Sequence, residues 1–104
     1  MADAKGLYPV CRVPDVIRRQ VVIINKLGLH ARAAAKFVTL ASGFESEVQV
    51  ALNDNQVNGK SIMGIMMLAA AKGTQLDIVV EGPDEQAAIE KLCELITNRF
   101  DEES

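Results

Sequence analysis

Between Arg19 and Phe100 the apolar residues change spacing repeatedly, from every second position to every third or fourth and back. Such a chain cannot settle as all helix or all sheet, because side chains alternate across a strand but line one stripe of a helix. Residues 19–25 hold the β-branched run Val21, Val22, Ile23 and Ile24, which predicts a strand. Ala34, Phe37, Val38 and Ala41 recur at helical spacing and predict a helix from Ala31 to Ser42, stopped by Gly43. Glu47 to Leu52 alternates as a second strand with Val48, Val50 and Leu52 on one side, and Asn53, Asp54 and Asn55 turn it into a short return strand over 56–58. Ser61 caps a short helix that runs to about Ala70. Leu76, Ile78 and Val80 alternate again. Pro83, Asp84 and Glu85 open a last helix, with Ile89, Leu92, Cys93, Ile96 and Phe100 as its buried stripe.

The resulting order is β-α-β-β-α-β-α. Three amphipathic helices need a sheet face to cover, so the expected class is α+β, an open sheet of about four strands with helices on one face. The 104 residues suit one domain, placed at 19–104. Residues 1–18, with Gly6, Pro9 and Pro14, read as an N-terminal extension that is poorly structured or lies on the surface.

A domain this small has no room for a large enclosed cavity and is expected to work from its surface. Net charge is −3, which gives no basic stripe for nucleic acid. The charge is nevertheless uneven: Lys26, His30, Arg32 and Lys36 cluster, and the chain ends in acids. A basic patch of this kind steers acidic partners to one face. Two cysteines, Cys11 and Cys93, and one histidine fall short of a usual zinc set, so neither metal nor cofactor is expected. Short apolar runs, no export signal and free thiols point to the cytoplasm.

Three features could carry chemistry. His30 stands at the start of a helix, where unpaired N–H groups and the helix dipole welcome a phosphate, and Arg32 can add a charge-assisted hydrogen bond. A histidine there can equally be a plain cap or a surface residue. Ser61 is a helix cap by its pattern, and a phosphate on it would also sit on a helix N-terminus. Around Ile62, Met63 and Met66 the short second helix is apolar on nearly every side, so part of it faces water as a docking surface, or packs in a second layer or a homodimer face.

Two segments bring these features together. Leu27-Gly28-Leu29-His30-Ala31-Arg32-Ala33-Ala34-Ala35-Lys36-Phe37 resembles the active-site segment of the HPr family, the histidine-containing phosphocarriers of the phosphoenolpyruvate-dependent phosphotransferase system. Lys60-Ser61-Ile62-Met63-Gly64-Ile65-Met66 resembles that family's regulatory-serine segment, at the right separation. The resemblance implies an open-faced β-sandwich with a four-stranded antiparallel sheet. It implies that His30 is phosphorylated on Nδ1 by phosphorylated enzyme I, with Arg32 beside it. The phosphoryl group would then pass to a histidine of an enzyme IIA protein. It further implies that Ser61 is the target of an ATP-dependent HPr kinase/phosphorylase, and that Leu29, Ile62, Met63 and Met66 form the partner-binding surface. The expected protein is a monomeric carrier rather than an enzyme. Ala33 replaces the family's usual proline, and Thr39 and Ser42 stand where some members have lysines.

Within the resemblance, a sugar-uptake carrier competes with a nitrogen-type regulatory relay that transports nothing. The Ser61 segment looks like the first and the ending Arg99-Phe100-Asp101-Glu102-Glu103 like the second. A non-catalytic regulator-binding module of the same fold would lack the histidine that is present here. A small nucleic-acid binder is disfavoured by the negative charge and by aromatics at 4%.

Overall fold

The computed structural model describes residues 16–101. Strands β1 (Val16–Val22), β2 (Glu47–Leu52), β3 (Asn55–Asn58) and β4 (Gln75–Glu81) form one sheet. Helices α1 (Ala31–Ser42), α2 (Ile62–Met67) and α3 (Glu85–Thr97) follow the expected order, and a 3-10 turn spans Arg99–Asp101. The sheet runs β1-β4-β2-β3 with every pairing antiparallel.

Register explains where the core lies. Val21 faces Leu76, Ile17 and Val48 face Val80, and Val50 faces Ile78. Because side chains alternate across a strand, these residues share one face. Phe37, Ile65, Ile89, Leu92, Ile96 and Phe100 are buried with Val48, Val50 and the β4 residues in one core. Each such side chain contributes roughly 1.5–3 kcal/mol by leaving water. The opposite face is open and carries the Arg18–Asp77 ion pair at 3.0 Å, a surface pairing of small energetic weight.

Four local expectations are corrected. The β-branched run predicts a strand over 19–25, whereas β1 spans Val16–Val22. It therefore opens three positions before the domain boundary read at residue 19. Arg18, Arg19 and Gln20 break the apolar alternation because they lie on an edge strand where polar residues reach water. Ile23 still bonds to both sides of the 73–74 turn, through Ile23 N–H to the Thr74 carbonyl at 2.9 Å and Gly73 N–H to the Ile23 carbonyl at 2.7 Å. Second, α2 stops at Met67 rather than near Ala70, because Ala69 turns left-handed at φ 52°. Third, Phe100 is core but not part of α3. Arg99 and Phe100 take φ values of 57° and 54°, folding the ring back under the helices, and Lys36 Nζ clasps the Phe100 carbonyl at 2.6 Å. Fourth, Cys93 is half-buried rather than plain core. Burial raises its thiol above the ordinary value, and the positive charge of Arg19 opposes that rise. The expectations for residues 1–15, Cys11 included, and for 102–104 lie outside the described residues.

The start of α3 is tied to the start of β2. Asp84 is the cap residue of α3 but makes no capping bond with its side chain. Its carboxylate instead accepts from Glu45 N–H and Ser46 N–H, each at 2.9 Å, and from the Ser46 hydroxyl. Gly82 lets the two segments touch, since a Cβ there would lie 2.5 Å from Ser46 Cα. The Ser46 hydroxyl, and then the backbone donors, hold the Asp84 carboxyl below its ordinary value of 3.8. A lowered folded-state pKa means that this tie stabilises fully above the unfolded value and is lost as pH falls through the folded value. Denaturant unfolding measured across acidic pH should show wild-type stability dropping below about pH 3.8. Asp84→Asn should be less stable at neutral pH and show a shallower acid decline. An unchanged acid limb in Asp84→Asn would remove Asp84 as its source.

Candidate phosphoryl-transfer site

The helix start at His30 comes from the loop before it. Asn25 is buried, and its Nδ2 donates to the Gly28 carbonyl at 2.8 Å, while Gly28 N–H donates to the Asn25 carbonyl at 3.2 Å. Gly28 takes φ 67°, and a Cβ on it would sit 2.4 Å from the Ala70 carbonyl oxygen. Only glycine meets both demands, the left-handed turn and the close approach. Leu29 N–H then donates to the Ala70 carbonyl at 2.9 Å, and the chain enters α1 at His30.

His30 is the cap of α1, with φ −75° and ψ 178°. Its Nδ1 accepts from Arg32 N–H at 3.3 Å, so that nitrogen points at the helix start. The ring is half-buried, and Ala31 and Arg32 beside it are exposed. No acid occupies the first turn of α1. The alanine at position 33 leaves the helix start intact, is itself buried, and supplies a backbone N–H where proline would have none. The capping and chemical readings of His30 therefore coincide in one geometry. An atom bonded to Nδ1 would meet the Arg32 N–H that the ring meets now.

The basic cluster is smaller than its sequence spacing suggests. Arg32 lines an open groove of about 480 Å³ with Ala35, Lys36, Thr39, Leu40 and Leu95, along the outer flank of α1. His30 is outside that lining, and the Lys36 ammonium is engaged by Phe100. Arg32 is the basic residue of this cluster whose backbone N–H meets the His30 ring.

Ser61 caps α2 with its hydroxyl oxygen, which accepts from Gly64 N–H at 3.0 Å. Lys60 is pinned in front of it, its Nζ donating to the Phe44 carbonyl at 2.7 Å. Of the expected docking residues, Ile62, Met63 and Met66 are exposed, Met63 at 75%. Leu29 is a correction, because it is only 7% exposed. Its inward turn follows from the bond to Ala70, and Leu27 is the loop residue left outside, at 67%. Met67, at 78%, was also missed. It stands two positions from buried Ile65, roughly the opposite side of a helix with 3.6 residues per turn, and that spacing was a legible signal.

Comparison with known proteins places this arrangement. The family model described as "PTS HPr component phosphorylation site" matches residues 17–98. The chain belongs to the HPr family. The phosphocarrier protein HPr of Neisseria meningitidis serogroup A is 55% identical over 87 residues, which cover 84% of this chain and 98% of that one. The crystal structure of HPr-C-His from Thermoanaerobacter tengcongensis superposes with a TM-score of 0.82 at 45% identity, covering 85% of this chain and 99% of that one. An HPr dimer from the same organism gives a TM-score of 0.68 at 48% identity, covering 79% and 94%. HPr proteins are phosphocarriers of the phosphotransferase system and not enzymes in their own right. The expected open-faced sandwich is the HPr fold. Among the described residues no helix is long and apolar enough to cross a membrane.

The Gly28 contact gives a direct test. Gly28→Ala should destabilise the fold by about 2 kcal/mol or more, since left-handed strain and a backbone clash combine. Thermal unfolding should show a drop on the order of 10 °C for a chain of this size. A variant melting with the wild type would mean the loop can shift away from Ala70 freely.

Proposed function

We propose that His30 Nδ1 accepts a phosphoryl group from phosphorylated enzyme I and delivers it to a histidine of an enzyme IIA protein in the phosphoenolpyruvate-dependent sugar phosphotransferase system. The observation that carries this reading is the Nδ1 lone pair held at the N-terminus of α1 in a chain of the HPr family. In the transfer, Nδ1 attacks phosphorus, an N–P bond forms on His30, and the bond from phosphorus to the group that carried it on enzyme I breaks. The phosphoryl oxygens take over the Arg32 N–H from the ring, and the Arg32 guanidinium adds charge. Dipole stabilisation of about 0.3–1 kcal/mol, rising to ~2 when partly buried, suits a group that must be handed on.

Exposed Leu27, Ile62, Met63, Met66 and Met67 form the docking surface for both partners. Methionine adapts to partners of different shape. Ser61 is the site of regulation by HPr kinase/phosphorylase, where about two negative charges would be added at the foot of that surface. The carrier acts as a single copy in the cytoplasm, offering the same patch to donor and acceptor in turn.

Incubation with labelled phosphoenolpyruvate and enzyme I should give an acid-labile phosphohistidine that His30→Ala abolishes. Arg32→Ala should slow transfer by about ten- to a hundredfold, as loss of a charged donor does elsewhere. No label on the wild type, with an enzyme I active on another carrier, would overturn the reading. With a cognate kinase and ATP, Ser61 should give an acid-stable adduct that Ser61→Ala lacks.

A further inference from the structure

We infer that Ala69 is a positioning residue for His30, acting through the carbonyl of Ala70. The inference rests on the phosphocarrier reading and extends it to a residue that touches no reacting atom.

Residues 68–74 and 23–29 run side by side. Ile23 N–H donates to the Thr74 carbonyl, Gly73 N–H to the Ile23 carbonyl, and Leu29 N–H to the Ala70 carbonyl. The last of these is closest to the site, one residue before His30. Its acceptor is aimed by Ala69. Helix α2 ends with Leu68 as its cap residue, and Ala69 N–H donates to the Met66 carbonyl at 3.0 Å. Ala69 then turns left-handed at φ 52°, which sends the chain back from the helix end towards Gly28. The fit has little slack, because Ala70 and Ala71 leave no space for a side chain at residue 28.

Left-handed backbone is ordinary for glycine and costs roughly 1–2 kcal/mol for other residues. Ala69 is exposed, so its methyl adds little packing in return. The strain is held because the bond to Leu29 and the Gly28 contact require the turn. The strap also joins α2, with its docking side chains, to the histidine loop through the Leu29–Ala70 hydrogen bond, at the margin of the core that Leu29, Leu68 and Ala70 share.

Three substitutions separate this role from plain stability. Ala69→Gly and Ala69→Asn tolerate left-handed backbone, whereas Ala69→Val does not, and its exposed side chain creates no clash in the core. Transfer from phosphorylated enzyme I is measured at varied carrier concentration. In Ala69→Val the maximal rate should fall about tenfold while the half-saturating concentration moves less than about twofold, because misplacement of the ring affects the transfer step rather than docking. Ala69→Gly and Ala69→Asn should transfer like the wild type. Hydrogen exchange at the Leu29 amide should speed up in Ala69→Val alone.

Should Ala69→Val fail to fold, an ester in place of the Gly28–Leu29 amide removes the Leu29 donor to Ala70 and should give the same loss of maximal rate. The ester also weakens the Gly28 carbonyl as acceptor for Asn25, and Asn25→Ala is the control for this second effect. A folded Ala69→Val or ester chain with wild-type maximal rate would overturn the inference. So would a loss confined to the half-saturating concentration, or an equal loss in the glycine variant. If the wild type itself takes no phosphoryl group, the carrier reading fails instead. Leu29 exchange then still decides the strap, and unchanged protection in Ala69→Val would reject it.

Discussion

Strand β4 is hydrogen-bonded along both edges, to β1 on one side and β2 on the other, and its inner residues Leu76, Ile78 and Val80 are closed off from solvent. The other elements take their places from that strand. β1 brings Val21 against Leu76, and β2 brings Val48 and Val50 against Val80 and Ile78. The helices then cover the one apolar face that results. The pairing of β1 with β4 continues past the strands through Ile23 and Thr74, so the loop carrying His30 leaves from a fixed edge. The site's position is inherited from the sheet, not built by the loop alone.

What the loop adds is chemical. A histidine capping a helix is an ordinary structural arrangement, and the ring nitrogen here accepts a backbone N–H as a capping oxygen would. The same arrangement turns that nitrogen towards the N–H groups of a helix start, donors suited to an anion. With no acid in the first turn of α1 and Arg32 exposed next to the ring, nothing in that turn competes for those donors. Lys36 had looked like part of the same cluster. It belongs instead to the closure of the fold, where it holds the carbonyl of Phe100.

Most of the architecture was legible because strands and helices advertise themselves by period, and α1 and β2 came out with the expected bounds. Misjudged positions share a cause, a backbone that leaves regular geometry for reasons set far away in sequence. Phe100 has helical spacing from Ile96, yet it reaches the core by a left-handed turn that period alone does not reveal. Ala69 reads as a good helix former, yet it ends α2 because the chain must meet Gly28. Leu29 and Leu27 are the same residue type on either side of a glycine, and the left-handed turn at Gly28 with the bond from Leu29 to Ala70 accompanies the burial of one and the exposure of the other. The tie of Asp84 to Glu45 and Ser46 was hidden in the same way, since the acid read only as one of the residues opening the last helix. The helix starts at His30 and Ser61 were legible because short-range pattern alone specifies the start of a helix.

The ladder that joins Val16 to Glu81 also dictates when the molecule can exist. A ribosome makes β1 early and β4 late. Until β4 emerges, Val21 and Ile23 have no strand to lie beside, while α1 and the β2–β3 hairpin can already form from neighbouring residues. Contacts between distant parts of a chain are the slow ones to close, and waiting strands are open to other chains. A nascent carrier of this kind is therefore most exposed to misassociation after its first strand is made and until the partner strand at 75–81 has emerged to cover it.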